Sequence, residues 1–191
     1  MRWKSPVLLA LMGCALTLVL SSHSNAQGAK EIASDDEADR IRIGYSVAPV
    51  RLFVRHKDPD LVGLGSYLVN VQAGCNDCHT NPSYLPAGDP FNGKPIQVNA
   101  AGYLAGGQSF GPFVSRNITP DSEGKPAGLT FAAFTTVMRK GIDPEHLHPQ
   151  LGPLLQVMPW PTYSHMTDHD LYAIYEYLSS IPSLPDSAGA S

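Results

Sequence analysis

The 191-residue chain is 43% hydrophobic and 16% charged, with a formal net charge of −4. This length and apolar content suit one globular domain with its own core, and the mild acidity argues against nucleic acid or an anionic membrane as a partner. Seventeen glycines and seventeen prolines predict long loops and a modest helix content.

The first 26 residues have the parts of a secretory signal peptide. Arg2 and Lys4 form a basic start, and an apolar run follows over residues 7–20. The small residues that end at Ala26 predict cleavage before the next residue. The alternative is a retained membrane anchor, but this run is shorter than the ~20 residues that span a bilayer. Cleavage leaves 11 basic against 17 acidic residues, a charge of −6, and no membrane span is expected.

Residues 27–57 form a predicted N-terminal extension. Residues 27–40 are polar and acidic, which is typical of a disordered tail. From Ile41 to Val47 apolar residues alternate with others, which favours a strand. A segment lying across the domain surface is the alternative, because no second convincing strand is available to pair with it.

The first helix is predicted to begin at Asp58-Pro59-Asp60, where either aspartate can cap and the proline suits a first turn. Apolar residues then recur every three or four positions and carry the helix to about Ala73. Gly63 and Gly65 each cost a helix about 1 kcal/mol relative to alanine. Close approach of another element is therefore expected at these glycines.

The stretch Cys75-Asn76-Asp77-Cys78-His79 is the attachment pattern of a c-type haem. Each thiol adds across one vinyl group of the porphyrin, and the spacing lets one backbone turn present both sulfurs to one porphyrin edge. The histidine then lies under the iron as its proximal ligand. A redox Cys-x-x-Cys would need a βαβ setting and a zinc site would need further spaced ligands, and neither is evident.

Residues 80–128 are predicted to be rich in loops, because seven prolines forbid long helices there. Scattered apolar side chains indicate that this stretch packs on the porphyrin. They are Tyr84, Phe91, Ile96, Tyr103, Leu104, Phe110 and Phe113.

Two more helices are predicted in the second half of the chain. One begins at Thr130 and ends at Gly141. The other begins at a capping box, with Thr167 as the cap and Asp170 reaching back, and runs to about Ser180. The residues between these helices are predicted to be irregular.

Met158 is the predicted sixth ligand of the iron. It stands in a loop that Pro159 and Pro161 stiffen, which holds a weak thioether ligand at little entropic cost. Met138 lies on a helix face, where a core role is favoured. The second choice for the iron is a histidine of the preceding loop, His146 or His148.

Four further side chains have two interpretations each. Trp160 and Tyr163 are expected to be aromatic walls of the haem site. Arg116 and Asn117 are expected to be a turn pair. Contact with a haem propionate is the alternative for each of these residues.

Several of these features resemble a class I type c cytochrome. They are the helix with Gly65-Ser66-Tyr67-Leu68, the late Met158-Pro159 and the last helix with Tyr177-Leu178. The resemblance implies that the first and last helices cross, with Gly65 against Tyr177.

A closer resemblance, over residues 60–182, is to the cytochrome subunits of periplasmic alcohol, aldehyde and gluconate dehydrogenases. The motifs that carry it are Asn76-Asp77-Cys78-His79-Thr80, Leu104-Ala105-Gly106-Gly107, Asn117-Ile118-Thr119-Pro120-Asp121 and Asp170-Leu171. The chain departs from these subunits in one respect, because they usually carry three such units and this chain carries one.

The sequence thus predicts a mainly α, loop-rich, cytochrome c-like domain over residues 58–182, followed by a tail over 183–191. One covalent haem c is expected, bound by Cys75, Cys78, His79 and Met158, with the last two on the iron. We expect a periplasmic electron carrier without enzyme activity, whose partners are redox proteins such as a periplasmic dehydrogenase or a terminal oxidase. One alternative is a non-shuttling subunit of a dehydrogenase complex, which the N-terminal extension favours. Another is a haem enzyme such as a peroxidase, which needs an open iron position.

Overall fold

The computed structural model describes residues 36–143 and 152–187. The chain divides into two compact units, residues 1–39 and residues 40–191. Apart from residues 36–39, which begin the first helix, the elements described below lie in the second unit. The predicted signal peptide, His146 and His148 lie outside the described residues. The described part is mainly helical and rich in loops, as predicted.

A helix over residues 36–47 (α1) stands where the sequence favoured a disordered tail and then a strand, so those two predictions were wrong for these residues. Ile41, Gly44 and Tyr45 make its contacts with the next helix, and their spacing is that of one helix face. A methyl group on Gly44 would collide with the Gly63 carbonyl. The Ser66 hydroxyl donates a hydrogen bond to the Gly44 carbonyl at 2.7 Å. Residues 41–45 of α1 therefore approach the backbone of the next helix closely.

The next helix, α2 (Pro59–Tyr67), begins as predicted, with Asp58 as its N-cap. The Asp58 carboxylate accepts a hydrogen bond from the Asp60 amide at 2.9 Å. After α2 the chain continues as one π-helical turn, Leu68–Gln72, and stops at Ala73. The predicted end near Ala73 is confirmed.

The last helix, α6 (Asp168–Leu178), crosses α2 at Gly65. A methyl group on Gly65 would collide with the Ala173 carbonyl and reach 2.7 Å from the Tyr177 Cβ. This contact confirms the crossing that the family resemblance implied. These two helices and the turn after α2 contribute the following buried side chains to the hydrophobic core: Val62, Leu64, Leu68, Val69, Leu171, Ile174, Tyr177 and Leu178.

Both predicted caps of the later helices are present. Helix α4 (Phe131–Lys140) begins at Thr130, and Gly141 ends it in the left-handed conformation with φ of +64°. The Thr167 hydroxyl accepts the Asp170 amide at 3.0 Å and donates to the Asp170 carboxylate at 2.8 Å. Threonine thus fixes the start of both helices.

Between the attachment pattern and α4 the chain forms loops, short 3₁₀ turns and one antiparallel pair, β1 (Ser109–Phe110) and β2 (Phe113–Val114). Tyr103 and Leu104 are buried in the core, whereas Phe91 is 83% exposed and Ile96 is 69% exposed. The apolar residues of this region therefore divide between the interior and the surface.

The segments at the two ends of the domain also pack on it. The Phe53 amide donates to the Ser180 carbonyl at 2.7 Å. The predicted irregular segment before α6 contains one helical turn, α5 (Trp160–Tyr163). In the described ranges no helix is both long and apolar enough to cross a membrane. The domain boundaries at residues 58 and 182 remain predictions.

Candidate haem site

A short helix, α3 (Cys75–His79), carries the attachment pattern. Gly74 precedes it with φ of +60°, a conformation that glycine adopts without steric cost. Cys75 and Cys78 are three residues apart on this turn, so their side chains share one face. Both are free, half-buried thiols. Burial raises the pKa of Cys75 to about 12, and burial is also the main cause of the raised pKa of Cys78.

The His79 ring is oriented by a backbone carbonyl. Its Nδ1 lies 2.8 Å from the Arg116 carbonyl oxygen. Because a carbonyl only accepts, Nδ1 carries the proton and Nε2 keeps its lone pair for a metal. Burial lowers the pKa of His79, which favours the neutral imidazole that a metal requires. The predicted proximal ligand is thus in the tautomer that ligation needs.

The segment Leu104–Gly107 holds the attachment turn beside the Arg116 segment. The Gly106 amide donates to the His79 carbonyl at 2.7 Å, and the Gly107 amide donates to the Ser115 carbonyl at 2.9 Å. Gly106 has φ of +74°, and a Cβ there would lie 2.5 Å from the carbonyl carbon of Arg116. Only glycine fits at this position.

The Arg116 and Asn117 side chains are engaged by protein groups. Arg116 Nη1 lies 2.6 Å from Asp143 Oδ2, and Nη2 donates to the Ala127 carbonyl at 2.7 Å. The Asp143 side chain is only 1% exposed. The Asn117 amide donates to the Leu184 carbonyl at 2.8 Å. Sequence reasoning missed Asp143, because a single acid after a helix stop carries no local signal.

Met158 is half-buried and packs against the same hydrophobic core as Cys75. The turn that follows it reaches the attachment region, since the Tyr163 hydroxyl donates to the Ala73 carbonyl at 3.0 Å. The pKa of Tyr163 is raised to about 12, mainly by burial and further by its nearness to Cys75 and Cys78. The residues that follow Met158 therefore bring Tyr163 beside the turn that carries the two thiols.

Of the other methionine and histidine side chains, Met138 and His165 have surroundings that differ from those of Met158, whereas Met166 does not. Met138 is 5% exposed within the core, which is consistent with the core role favoured from sequence. Met166 is half-buried against the same core, and His165 is exposed. The ring of Trp160 stacks closely on Gly141, and its Nε1 donates to the Leu155 carbonyl at 3.2 Å.

These residues fit a c-type haem. Two protonated thiols on one turn suit addition to two vinyl groups, in which each sulfur bonds to one carbon and its proton passes to the neighbouring carbon. The Nε2 of His79 and the Met158 thioether are the nitrogen and sulfur donors that such a haem uses. Within residues 36–143 and 152–187, no group of three His, Cys, Asp or Glu side chains is placed to hold a metal ion.

No family model and no solved structure matches the chain, but curated proteins do. The chain is 38% identical over 93 residues to a subunit of the nicotinate dehydrogenase of Pseudomonas putida, covering 48% of this chain and 7% of that protein. It is 30% identical over 148 residues to the cytochrome c subunit of the quinone-type alcohol dehydrogenase of Gluconacetobacter polyoxogenes, covering 73% and 27%. It is 29% identical over 113 residues to a diheme cytochrome c-type protein of Cereibacter sphaeroides, covering 57% and 32%. The chain thus spans less than a third of the length of each of these relatives.

Proposed function

We propose that the chain is a cytochrome c that carries single electrons through one haem c. The premise is its resemblance to one repeat unit of the dehydrogenase cytochrome subunits. Cys75 and Cys78 would bind the porphyrin, and His79 and Met158 would bind its iron. The observation that carries the proposal is the His79 ring, which the Arg116 carbonyl fixes with Nε2 available, on the same turn as two free thiols.

The bound haem supplies the one-electron couple between Fe(III) and Fe(II). The chain's own residues set how easily that electron is accepted. A methionine thioether is a soft ligand that favours Fe(II) relative to a second histidine. Burial against an apolar core acts in the same direction, because the ferric site carries the extra positive charge. A fairly high reduction potential is therefore expected.

The proposed location is the periplasm, and the proposed partner is a dehydrogenase. A signal-like N-terminus supports export. The haem attachment pattern supports it as well, because bacteria attach c-type haem outside the cytoplasm. Relatives whose names identify them as dehydrogenase subunits support the partner. They also favour a second candidate, a bound subunit that stays with its dehydrogenase. Size-exclusion chromatography of a periplasmic extract separates the two, because a free carrier elutes apart from dehydrogenase activity.

We further propose that the protein is not an enzyme. If His79 and Met158 both bind the iron, they would leave no ligand position open to a substrate. Carbon monoxide should therefore leave the reduced spectrum unchanged. Tight carbon monoxide binding would instead support the peroxidase-like alternative.

The test of the proposed function is expression in a host that matures c-type cytochromes. The purified protein should be coloured, should keep its pigment in acidified acetone and should titrate as a single one-electron couple. The variant Cys75→Ser/Cys78→Ser is the matched control, and it should release any pigment into the acetone. A colourless wild-type protein, or one that loses its pigment like the control, would overturn the proposal.

A further inference from the structure

A buried ion pair connects the two sides of the candidate haem site. Asp143 and Arg116 are 27 residues apart in the chain, and neither belongs to the attachment pattern. Their charged atoms meet at 2.6 Å, where the Asp143 side chain is 1% exposed and the Arg116 side chain is 17% exposed. Burying two charges is costly unless they are paired, so the arrangement calls for a specific explanation.

At one end of the pair, Arg116 orients the proximal ligand. Its carbonyl accepts the Nδ1 hydrogen bond of His79, while its guanidinium forks between Asp143 and the Ala127 carbonyl. A guanidinium with two fixed partners is rigid, because its planar donors cannot rotate independently. The side chain of Arg116 therefore anchors the carbonyl that sets the plane of the imidazole.

At the other end, Asp143 holds the segment that leads to Met158. Its backbone amide donates to the Pro153 carbonyl at 2.8 Å, and the Leu155 amide donates to the Gly141 carbonyl at 2.8 Å. An antiparallel bridge joins Ile142 to Leu154 between these two bonds. Met158 follows three residues after this paired stretch.

We propose that the Arg116–Asp143 pair positions both predicted iron ligands at once. The pair connects the Arg116 carbonyl, which accepts the hydrogen bond from His79, to the strand-like segment before Met158. This inference rests on the proposed function, since it concerns residues that would bind the haem iron. Neither residue touches the iron, so both are positioning residues. Their expected effect is on the geometry and basicity of the ligands.

The two predicted ligands would shift the potential in opposite directions when they loosen. A firm hydrogen bond from Nδ1 makes the imidazole a more basic ligand, which stabilises Fe(III) and lowers the reduction potential. Loosening the Arg116 carbonyl weakens this bond and raises the potential. Loosening the segment before Met158 would weaken the iron–sulfur bond, which would lower the potential and weaken the red absorption band that this bond gives the oxidised protein.

The experiment uses the charge-neutral variant Arg116→Met/Asp143→Leu in the full, haem-loaded protein. Removing both charges leaves little direct electrostatic effect on the iron, so a shift in potential reports position. We expect the red band to weaken and the equilibrium constant for reduction to change about tenfold, which is about 59 mV for a one-electron couple. The potential rises if the His79 hydrogen bond loosens more and falls if the iron–sulfur bond does. The matched control is Lys57→Met/Glu176→Leu, which removes another partly buried pair (3.2 Å) and should leave both readouts unchanged.

A second variant, Asp143→Asn, keeps the shape of the side chain and remains informative if the double variant fails to mature. We expect its sulfur band to weaken as well. Wild-type potential and band in the double variant would overturn the inference, as would an unchanged band in Asp143→Asn. These outcomes presuppose a wild-type protein with covalent haem. A wild type without it would instead contradict the proposed function.

Discussion

The two sides of the candidate haem site are held in different ways. His79 is held by two hydrogen bonds, one from the Gly106 amide to the His79 carbonyl and one from the His79 Nδ1 to the Arg116 carbonyl. We call these contacts the His79 cradle. Met158 lies in a segment whose neighbours Leu154 and Val157 are 40% and 41% exposed. The predicted ligand that belongs to a sequence motif is thus oriented by backbone hydrogen bonds, whereas the predicted ligand in the loop lies next to exposed side chains. Damage to the first side should affect maturation and stability, and damage to the second should affect mainly the spectrum.

The largest effect is expected from Gly106→Ala, which attacks the cradle directly. The left-handed backbone would be strained by about 1–2 kcal/mol, and the new methyl group would meet the backbone at Arg116, which cannot move aside without releasing His79. A total loss above about 3 kcal/mol is expected, with little haem-loaded protein. The control is Gly124→Ala, where φ is +80° but nothing lies within 4 Å. Equal unfolding free energies for the two variants would show that the cradle is not tightly packed.

On the other side of the site, Met158→Ala should spare the fold and change the spectrum. The two thioethers and His79 still hold the haem, so the pigment should remain attached. The red band of iron–sulfur coordination should disappear and the reduction potential should fall. Met138→Leu is the control, since a similar volume in the core should cost less than about 1.5 kcal/mol and leave the band intact. Persistence of the band in Met158→Ala would assign the ligand elsewhere.

Tyr103 lies in the core behind the attachment turn and predicts an alkaline effect. Its hydroxyl donates to Asn70 Oδ1 at 2.6 Å and lies 2.9 Å from the Tyr177 hydroxyl. Burial, followed by the nearby Tyr177, raises the pKa of Tyr103 well above 10.0. The folded state therefore keeps a proton that the unfolded chain loses above pH 10, and stability falls as the pH rises further, by up to about 1.4 kcal/mol per pH unit.

The variant Tyr103→Phe separates the contribution of the Tyr103 hydrogen bonds to stability from the contribution of its raised pKa. At pH 7 it should cost about 1–3 kcal/mol, because buried polar partners lose a hydrogen bond. Above pH 10 its unfolding free energy should fall less steeply than that of the wild type, so the gap should narrow. Denaturant unfolding at several pH values measures both. A gap that widens in alkali would contradict the assigned direction of the pKa shift.

The smallest effect is expected from Thr167→Ala, at the N-cap of α6. Loss of the cap on α6 should cost about 1 kcal/mol and leave the spectrum and the potential unchanged. Thr136→Ala is the matched control, because that hydroxyl only bonds back to the Ala132 carbonyl within α4 and its loss should cost a few tenths of a kcal/mol at most. A spectral change in Thr167→Ala would show that the helix start is coupled to the haem site.

Local chemistry made much of this fold predictable. Caps at Asp58, Thr130 and Thr167 and the stop at Gly141 fixed the starts and ends of helices, because each acts within one turn. Gly65 predicted a close approach of another element for a different reason. A glycine inside a helix is unfavourable unless a neighbouring element leaves no room for a side chain.

The errors and omissions arose where the signal was ambiguous or distant. In α1 the alternation from Ile41 to Val47 imitated a strand, while the contacts follow a helix face through Gly44. The pairing of Arg116 with Asp143 spans 27 residues, and no local pattern announces it. The division of the site into a rigid and a looser side was likewise unpredictable, because it depends on which loop segments lie next to each other.

Peptide mapping by mass spectrometry of the matured protein tests the central claim most directly. One peptide spanning residues 75–79 should carry the added mass of a single haem, with neither Cys75 nor Cys78 open to alkylation. A bare peptide with two alkylated cysteines, or a haem on any other peptide, would contradict the account.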